Sequence, residues 1–142
     1  SNVLVMPIEP EANPLGDWFD SLVRMRELAE DTLVLPSHER VFRGLRLRVE
    51  QLVQHHLDQC GVLIDLASAE ARMTIAQGMS ALFRRKLGAV EIMMAIGETL
   101  AHLTWLVNSG KLRRTMDARG VIGYGLTETG NVVDSKKLQE TN

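Results

Sequence analysis

The spacing of apolar residues predicts two amphipathic helices in the first half of the chain. The first begins at Asn13-Pro14, because asparagine is a favoured capping residue and proline fits the first turn of a helix. Arg43-Gly44 opens a second, longer helix. Their apolar faces are Leu15, Trp18, Phe19, Leu22 and Val23 in the first helix, and Leu45, Val49, Leu52, Val53, His56, Leu57, Leu63 and Ile64 in the second. We expect the face of the first helix to need a surface outside this chain, such as a second copy.

Two further helices are predicted in the second half. Thr74-Ile75-Ala76-Gln77 has the T-x-x-Q spacing of a capping box, in which two side chains satisfy free backbone N–H groups at a helix start. This helix continues through Phe83. A longer helix runs from about Ala89 to Asn108 and ends at Ser109-Gly110, since glycine is favoured just past a helix terminus. Its candidate core positions are Val90, Met93, Met94, Ile96, Leu100, Leu103 and Leu106.

Short extended segments complete the prediction. Residues 32–35 are an apolar run that Pro36 ends, because proline lacks a ladder donor, so they are predicted to form a buried strand followed by a loop with Ser37 and His38. Residues 111–115 and 121–124 flank a turn at Asp117-Ala118-Arg119-Gly120 and predict a β-hairpin. Residues 1–11, with two prolines and no helical period, are expected to be extended or disordered.

These elements predict a mainly α fold: a helical segment with one strand, followed by a winged-helix-like domain of three helices and a β-hairpin. We divide the chain into residues 1–44, a connecting helix at 45–67 that packs on both parts, the winged-helix-like domain at 68–126, and a flexible tail at 127–142. With 142 residues, of which 45% are hydrophobic, the chain is long enough to bury a core.

Composition and charge narrow the class of protein. No apolar run approaches the roughly 18 residues that cross a bilayer, so we expect a soluble protein without membrane contact. The single cysteine, Cys60, excludes an internal disulfide framework and fits a reducing cytoplasm, where it would be an apolar filler within a helix. Residues 1–67 carry 6 basic and 11 acidic side chains (−5), residues 68–126 carry 8 and 4 (+4), and residues 127–142 add −1, which gives the net charge of −2.

Three short motifs together resemble the last part of metallo-β-lactamase-fold hydrolases that carry a C-terminal winged-helix domain. They are LPSH at residues 35–38, FRGL at residues 42–45, and a following helix that contains His55-His56. The sequence ETLAHLTWLVNSGKL at residues 98–112 adds to the resemblance, since the family commonly has such a helix before its hairpin. The resemblance covers residues 14–126 and implies that residues 1–44 are the end of the hydrolase domain.

The resemblance implies a zinc ligand and a hydrolytic activity. His38 matches the histidine of the family's LP-(G/S)-H-G motif, the last zinc ligand that the chain contributes. The next residue in the family is glycine, whereas this chain has Glu39, and glycine adopts positive φ at little cost while glutamate does not. Such hydrolases hold two zinc ions, whose bound water attacks an ester, thioester, lactam or phosphodiester. The implied substrate in the intact protein is a small molecule.

The other ligands of such a site are not in the sequence. The family's H-x-H-x-D-H motif does not occur, and His38, His55, His56 and His102 cannot supply a two-metal site. The chain also starts at Ser1 rather than methionine. We therefore interpret it as a C-terminal fragment that lacks activity and bound zinc by itself. Its expected partner is an N-terminal hydrolase domain, and a homodimer is a further expectation.

The alternative is a non-catalytic winged-helix module that binds a protein or a nucleic acid, and it predicts that the first helix packs within this chain. Its candidate phosphate contacts are Lys111, Arg113, Arg114 and Arg119 in the hairpin, with Arg84-Arg85-Lys86 between helices. Residues 89–109, however, contain two glutamates and no lysine or arginine, unlike a helix that reads base edges. Packing, dimerisation or a wall of the substrate cleft is therefore the favoured role of this domain, and nucleic-acid binding is not expected.

The remaining histidines have structural interpretations. His55 and His56 are neighbours on a helix and point about 100° apart, which disfavours binding of one metal ion by both. His56 falls on the apolar face, so we expect a buried, hydrogen-bonded imidazole. His102, near Trp105 in the long helix, is also expected to be structural.

Overall fold

Helices form most of the computed structural model, which describes residues 3–128. In chain order the elements are α1 (Pro14–Met25), α2 (Leu45–Ala69), β1 (Met73–Thr74), α3 (Ile75–Leu82), α4 (Ala89–Asn108), β2 (Leu112–Met116) and β3 (Ile122–Leu126). The three strands form an antiparallel sheet in the order β1-β3-β2. The predicted mainly α fold class and the β-hairpin are confirmed. The winged-helix assignment and the domain boundaries stay predictions, and most of the predicted tail, residues 129–142, lies outside the described residues.

The helix boundaries follow the capping signals in the sequence. The Asn13 side chain accepts a hydrogen bond from the Gly16 N–H at 3.3 Å, with proline next to it in the first turn of α1. At the start of α3, the Gln77 N–H donates to Thr74 Oγ1 at 3.3 Å, and the Thr74 N–H donates to Gln77 Oε1 at 2.8 Å. This pair is the predicted capping box. Gly110 ends α4 with a φ of 70°, as expected for a glycine just past a helix.

The apolar face of α1 packs within this chain, against α2 and α4. Leu15, Phe19 and Leu22 are buried, and the Phe19 ring meets the Trp105 ring edge-on with centroids 5.1 Å apart. The expectation that this face would need an outside surface or a second copy is wrong. The alternative account predicted the observed packing, because α2 and α4 together supply the apolar partner that α1 requires.

The N-terminal segment, expected to be extended or disordered, is anchored on α4 through residues 3–6 and forms turns at residues 7–11. Val3 and Val5 are buried, and the Val5 N–H donates to the Gly97 carbonyl at 3.0 Å. A Cβ at position 97 would lie 3.1 Å from the Val5 carbonyl oxygen, so the glycine permits this close approach of the two backbones.

The predicted strand over residues 32–35 is wrong. Only Val34 pairs, in an isolated bridge with Phe42, and Leu35 is 73% exposed. A strand forms where a neighbour continues the ladder on at least one side, and no such neighbour is found among the described residues. The apolar run therefore did not indicate whether residues 32–35 pair in a sheet or are buried.

The apolar face of α4 was predicted correctly only in its second half. Leu103 and Leu106 are fully buried, whereas Val90 and Met93 are 72% and 71% exposed and Met94 and Ile96 are partly exposed. The face that packs in the first half instead carries small residues, such as Ala95. Because this helix is apolar nearly all round, its periodicity does not select the inner face.

By length and composition alone, α4 is long and apolar enough to cross a membrane, which differs from the expectation drawn from the sequence. Core helices of soluble proteins can have the same length and composition. In this fold Ala101, His102 and Leu103 of α4 are fully buried against other elements of the chain.

The packing of α1 in the core predicts that two leucine truncations change the free energy of unfolding by different amounts. Leu22→Ala is expected to lower the free energy of unfolding by about 3 kcal/mol, because it opens a cavity in the core. Leu47→Ala on α2, where the leucine is mostly exposed, is expected to cost less than about 0.5 kcal/mol. Urea denaturation of both variants measures this difference. Equal, small effects would show that α1 is not seated in the core.

Candidate metal-ligand loop and neighbouring surfaces

Residues 35–41 form a loop whose two ends are joined by backbone hydrogen bonds. The Val34 N–H donates to the Phe42 carbonyl at 2.8 Å, and the Phe42 N–H donates to the Val34 carbonyl at 3.2 Å. The Arg43 guanidinium donates to the Asp31 carbonyl and ties the loop base to the turn before it. The loop is thus held at its base, while Ser37 and the predicted zinc ligand His38 are exposed.

The backbone next to His38 has an unusual conformation. Glu39 has a φ of 74°, and it is the one non-glycine residue with positive φ among residues 3–128. A side chain in this region costs roughly 1–2 kcal/mol, because its Cβ approaches the following carbonyl. The chain therefore keeps the conformation that glycine would allow at this position, although it carries glutamate. Backbone strain of this kind clusters at functional sites.

One histidine cannot hold a metal ion firmly. Within the described part of the chain, no group of three or more His, Cys, Asp or Glu side chains is arranged to hold a metal. His38 supplies a single exposed imidazole, which suits one ligand of a site completed by groups from elsewhere. The assignment of His38 as a zinc ligand stays a prediction.

His56 and His102 form a buried pair between α2 and α4. Nδ1 of His56 lies 3.0 Å from Nε2 of His102, and Nδ1 of His102 lies 2.7 Å from the Glu98 carbonyl oxygen. Because a carbonyl only accepts, His102 donates from Nδ1 and accepts at Nε2 from the Nδ1–H of His56. Nε2 of His56 is buried without a partner among residues 3–128. Burial lowers the pKa of both rings, so both are neutral at pH 7. The expected buried, hydrogen-bonded His56 is confirmed.

Burial controls the protonation of this region. It lowers the pKa of His56 to about 4, with further lowering by the nearby His102 and His55, and it lowers the pKa of His102 as well. Burial raises the pKa of Glu98, while His55 and a hydrogen bond from Gln59 oppose that rise.

Cys60 lies one turn beyond this pair on α2 and is fully buried. Burial raises the pKa of its thiol to about 12, so it is an unreactive apolar filler, as the sequence indicated.

The structure separates the two strand cations that were proposed to contact phosphates. Arg113 and Arg114 are adjacent in β2, so their side chains point to opposite faces of the sheet. Arg114 lies across from Tyr124 and pairs with Glu11 at 3.5 Å. One face of the sheet therefore cannot present both guanidinium groups to the same phosphate backbone.

The other candidate cations lie outside the strands. Lys111 directly precedes β2, and Arg119 lies in the turn between β2 and β3. Between the helices, Arg85 pairs with Glu91 at 2.6 Å. Nucleic-acid binding through Lys111, Arg113, Arg114 and Arg119 stays an untested alternative.

A groove that the sequence reasoning missed lies between the N-terminal segment, α4 and the hairpin. Its volume is about 720 Å³, and its walls are mostly apolar. Several of its α4 residues, including Val90, Met93 and Met94, were assigned to the core from their spacing. The sequence signal for this groove is that α4 carries more apolar residues than one buried face can hold.

Comparison with known proteins finds similarity to metallo-beta-lactamase proteins. The family model for the C-terminal domain of metallo-beta-lactamase-like proteins matches residues 63–127. No curated protein matches the chain. Among solved structures, a beta-lactamase domain protein from Burkholderia ambifaria is 41% identical with a TM-score of 0.84, over 89% of this chain and 37% of that one. A metallo-beta-lactamase family protein from Thermus thermophilus is 25% identical with a TM-score of 0.67, over 89% of this chain and 40% of that one. The chain thus spans less than half the length of either protein.

The buried histidine pair predicts a loss of stability in mild acid. An unfolded His56 takes up a proton below about pH 6.5, whereas the folded one stays neutral until about pH 4. The stabilisation by His56 is thus complete above pH 6.5 and is lost as the pH falls through this window, by up to about 1.4 kcal/mol per pH unit. The lowered pKa of His102 adds a loss of the same sign. Urea denaturation at pH 7.5, 6 and 5 measures the slope.

The matched variants for this test are His56→Gln and His55→Gln. His56→Gln removes one of the two titrating rings and is expected to reduce the pH dependence, while the exposed His55→Gln keeps both rings. Glu98 has a raised pKa and contributes with the opposite sign, and His55→Gln changes this contribution because His55 partly opposes the rise. Identical slopes in the two variants would contradict the assigned role of His56.

The strained residue beside His38 predicts a stabilising substitution. Glu39→Gly is expected to raise the free energy of unfolding by about 0.5–1 kcal/mol, because relief of the positive φ outweighs the added freedom of the unfolded chain. Glu30→Gly, at an exposed position without positive φ, is the matched control and is expected to destabilise slightly. Thermal and urea denaturation of both variants test this, and destabilisation by Glu39→Gly would refute it.

Proposed function

The chain corresponds to the C-terminal part of a metallo-β-lactamase-fold protein, and on that premise we propose that it completes a zinc-dependent hydrolase to which His38 contributes one zinc ligand. The proposed reaction is hydrolysis of an ester, thioester, lactam or phosphodiester in a small-molecule substrate. The described residues by themselves are proposed to be inactive, because they offer a single imidazole to a site that needs several ligands.

The observation that carries this proposal is the backbone at Glu39. A positive φ at a glutamate is unfavourable, so a loop that retains it is under a constraint other than local stability. The conformation fits the requirement for a fixed direction of the preceding imidazole. The hydrogen bonds between Val34 and Phe42 hold the loop base and thus support the same orientation.

Zinc, when bound, supplies an activated water and a Lewis acid that polarises the scissile bond. The part of His38 is to offer a neutral ring nitrogen to the metal from an exposed loop. Ser37, Glu39 and Arg40 are exposed in the same loop as His38.

Exposed aliphatic side chains around the loop suggest that another part of the whole protein covers them. Leu33, Leu35 and Val41 each expose half or more of their area next to His38. Clustered apolar exposure of this kind marks a contact surface. We propose that the hydrolase domain covers it, as the partner expected from the sequence, and that the protein resides in a reducing cytoplasm, which the buried free thiol of Cys60 supports.

A second candidate is a self-contained interaction module without catalysis. The packing of Leu15, Phe19 and Leu22 inside this chain favours it, because a module complete in itself buries its own first helix. It gives no reason for the strained backbone at Glu39. The reading frame of the gene separates the two accounts.

A zinc measurement tests the proposed function directly. We expect the gene to encode an upstream segment with an H-x-H-x-D-H motif, and the full product to bind zinc when analysed by mass spectrometry of metals. His38→Ala is expected to lower zinc affinity and hydrolysis by at least about tenfold, whereas the exposed His55→Ala leaves both unchanged. A frame without such a motif, or equal zinc content in the two variants, would refute the proposal and leave the interaction module.

A further inference from the structure

The groove between the N-terminal segment and α4 has the size of a small-molecule site. Its volume of about 720 Å³ falls within the range of about 300–1,000 Å³ that is typical of ligand pockets. Its lining includes Leu4 and Pro7 of the N-terminal segment, residues along α4 from Val90 to Asn108, and residues of the hairpin. Among the described residues His38 is not part of these walls, so a ligand here is independent of the zinc proposal.

The α4 wall exposes long, flexible apolar side chains. Val90 and Met93 expose most of their area, and Met94 and Met6 contribute further thioether side chains to the same groove. Methionine adapts its shape to its contact partner, because it is unbranched and polarizable. Such walls suit a flexible hydrocarbon chain better than a rigid, polar ligand.

Among the described residues, the groove lining carries one cation, Arg114, and one carboxylate, Glu11. Arg114 reaches the groove from β2, where it lies across from Tyr124. Its ion partner is Glu11, at 3.5 Å, and the two side chains are 44% and 81% exposed. A pair this exposed contributes little stability, so a ligand carboxylate can replace Glu11 at small cost.

We propose that the groove binds a single-chain aliphatic carboxylate, with its hydrocarbon chain along α4 and its carboxylate on Arg114. Charge and shape together favour this occupant over a second copy of the chain. A symmetric dimer requires a self-complementary surface, and a concave groove is not complementary to itself.

Decanoate is the probe for this proposal, and decanol and acetate are its controls. Titration calorimetry with the whole chain is expected to show saturable binding of decanoate at one site, weaker binding of decanol, and no binding of acetate. In methyl NMR spectra, the signals of Met93 and Met94 are expected to shift with decanoate.

Matched variants separate the charge from the hydrocarbon contact. Arg114→Gln is expected to weaken the binding of decanoate about fivefold, which is the contribution of an exposed ion pair, without changing the binding of decanol. Arg113→Gln, on the opposite face of the same strand, leaves both unchanged. Glu11→Gln is expected to strengthen the binding of decanoate, because it removes the carboxylate that competes for Arg114.

The apolar wall has its own pair of variants. Met93→Ser is expected to weaken decanoate and decanol alike, whereas Leu47→Ser, at an exposed leucine of α2 outside the groove, weakens neither. The proposal is overturned if Arg114→Gln and Arg113→Gln behave identically, or if Met93→Ser has no effect. It is also overturned if sedimentation shows a dimer that Met93→Ser dissociates and decanoate does not.

Discussion

The hydrogen bond between His56 and His102 fixes the two longest helices against each other. Two imidazoles in a buried site must be neutral and correctly oriented, because an unpaired donor or a charge there would cost several kilocalories per mole. The Phe19 ring of α1 then packs edge-on against both the His56 ring and the Trp105 ring. These ring contacts join α1, α2 and α4 around one core.

One helix, α4, carries both core residues and groove residues. Leu103 and Leu106 are fully buried, while Val90, Met93 and Val107 line the groove. Gly97 lies near the middle of the helix, where the N-terminal segment crosses the helix backbone and hydrogen-bonds to it. A structural core and a candidate ligand surface are therefore parts of one helix.

The loop that carries His38 is governed by a different constraint. It lies outside the core, its base is held by one bridge and one arginine, and it keeps a strained backbone at Glu39. Core packing does not account for that strain. The strain lies next to His38, and the proposed role of His38 as a metal ligand would give the loop a constraint of its own.

Local signals in the sequence determined the helix ends, the capping box at Thr74, the hairpin and the resemblance centred on His38, because each depends on residues close together in the chain. Tertiary structure alone decided which apolar residues are inside. The seating of α1, the exposure of Met93, the solitary bridge at Val34 and the ion pair between Arg114 and Glu11 all depend on contacts between distant segments. Apolar periodicity shows that a surface exists, but only the neighbouring elements determine whether it is covered.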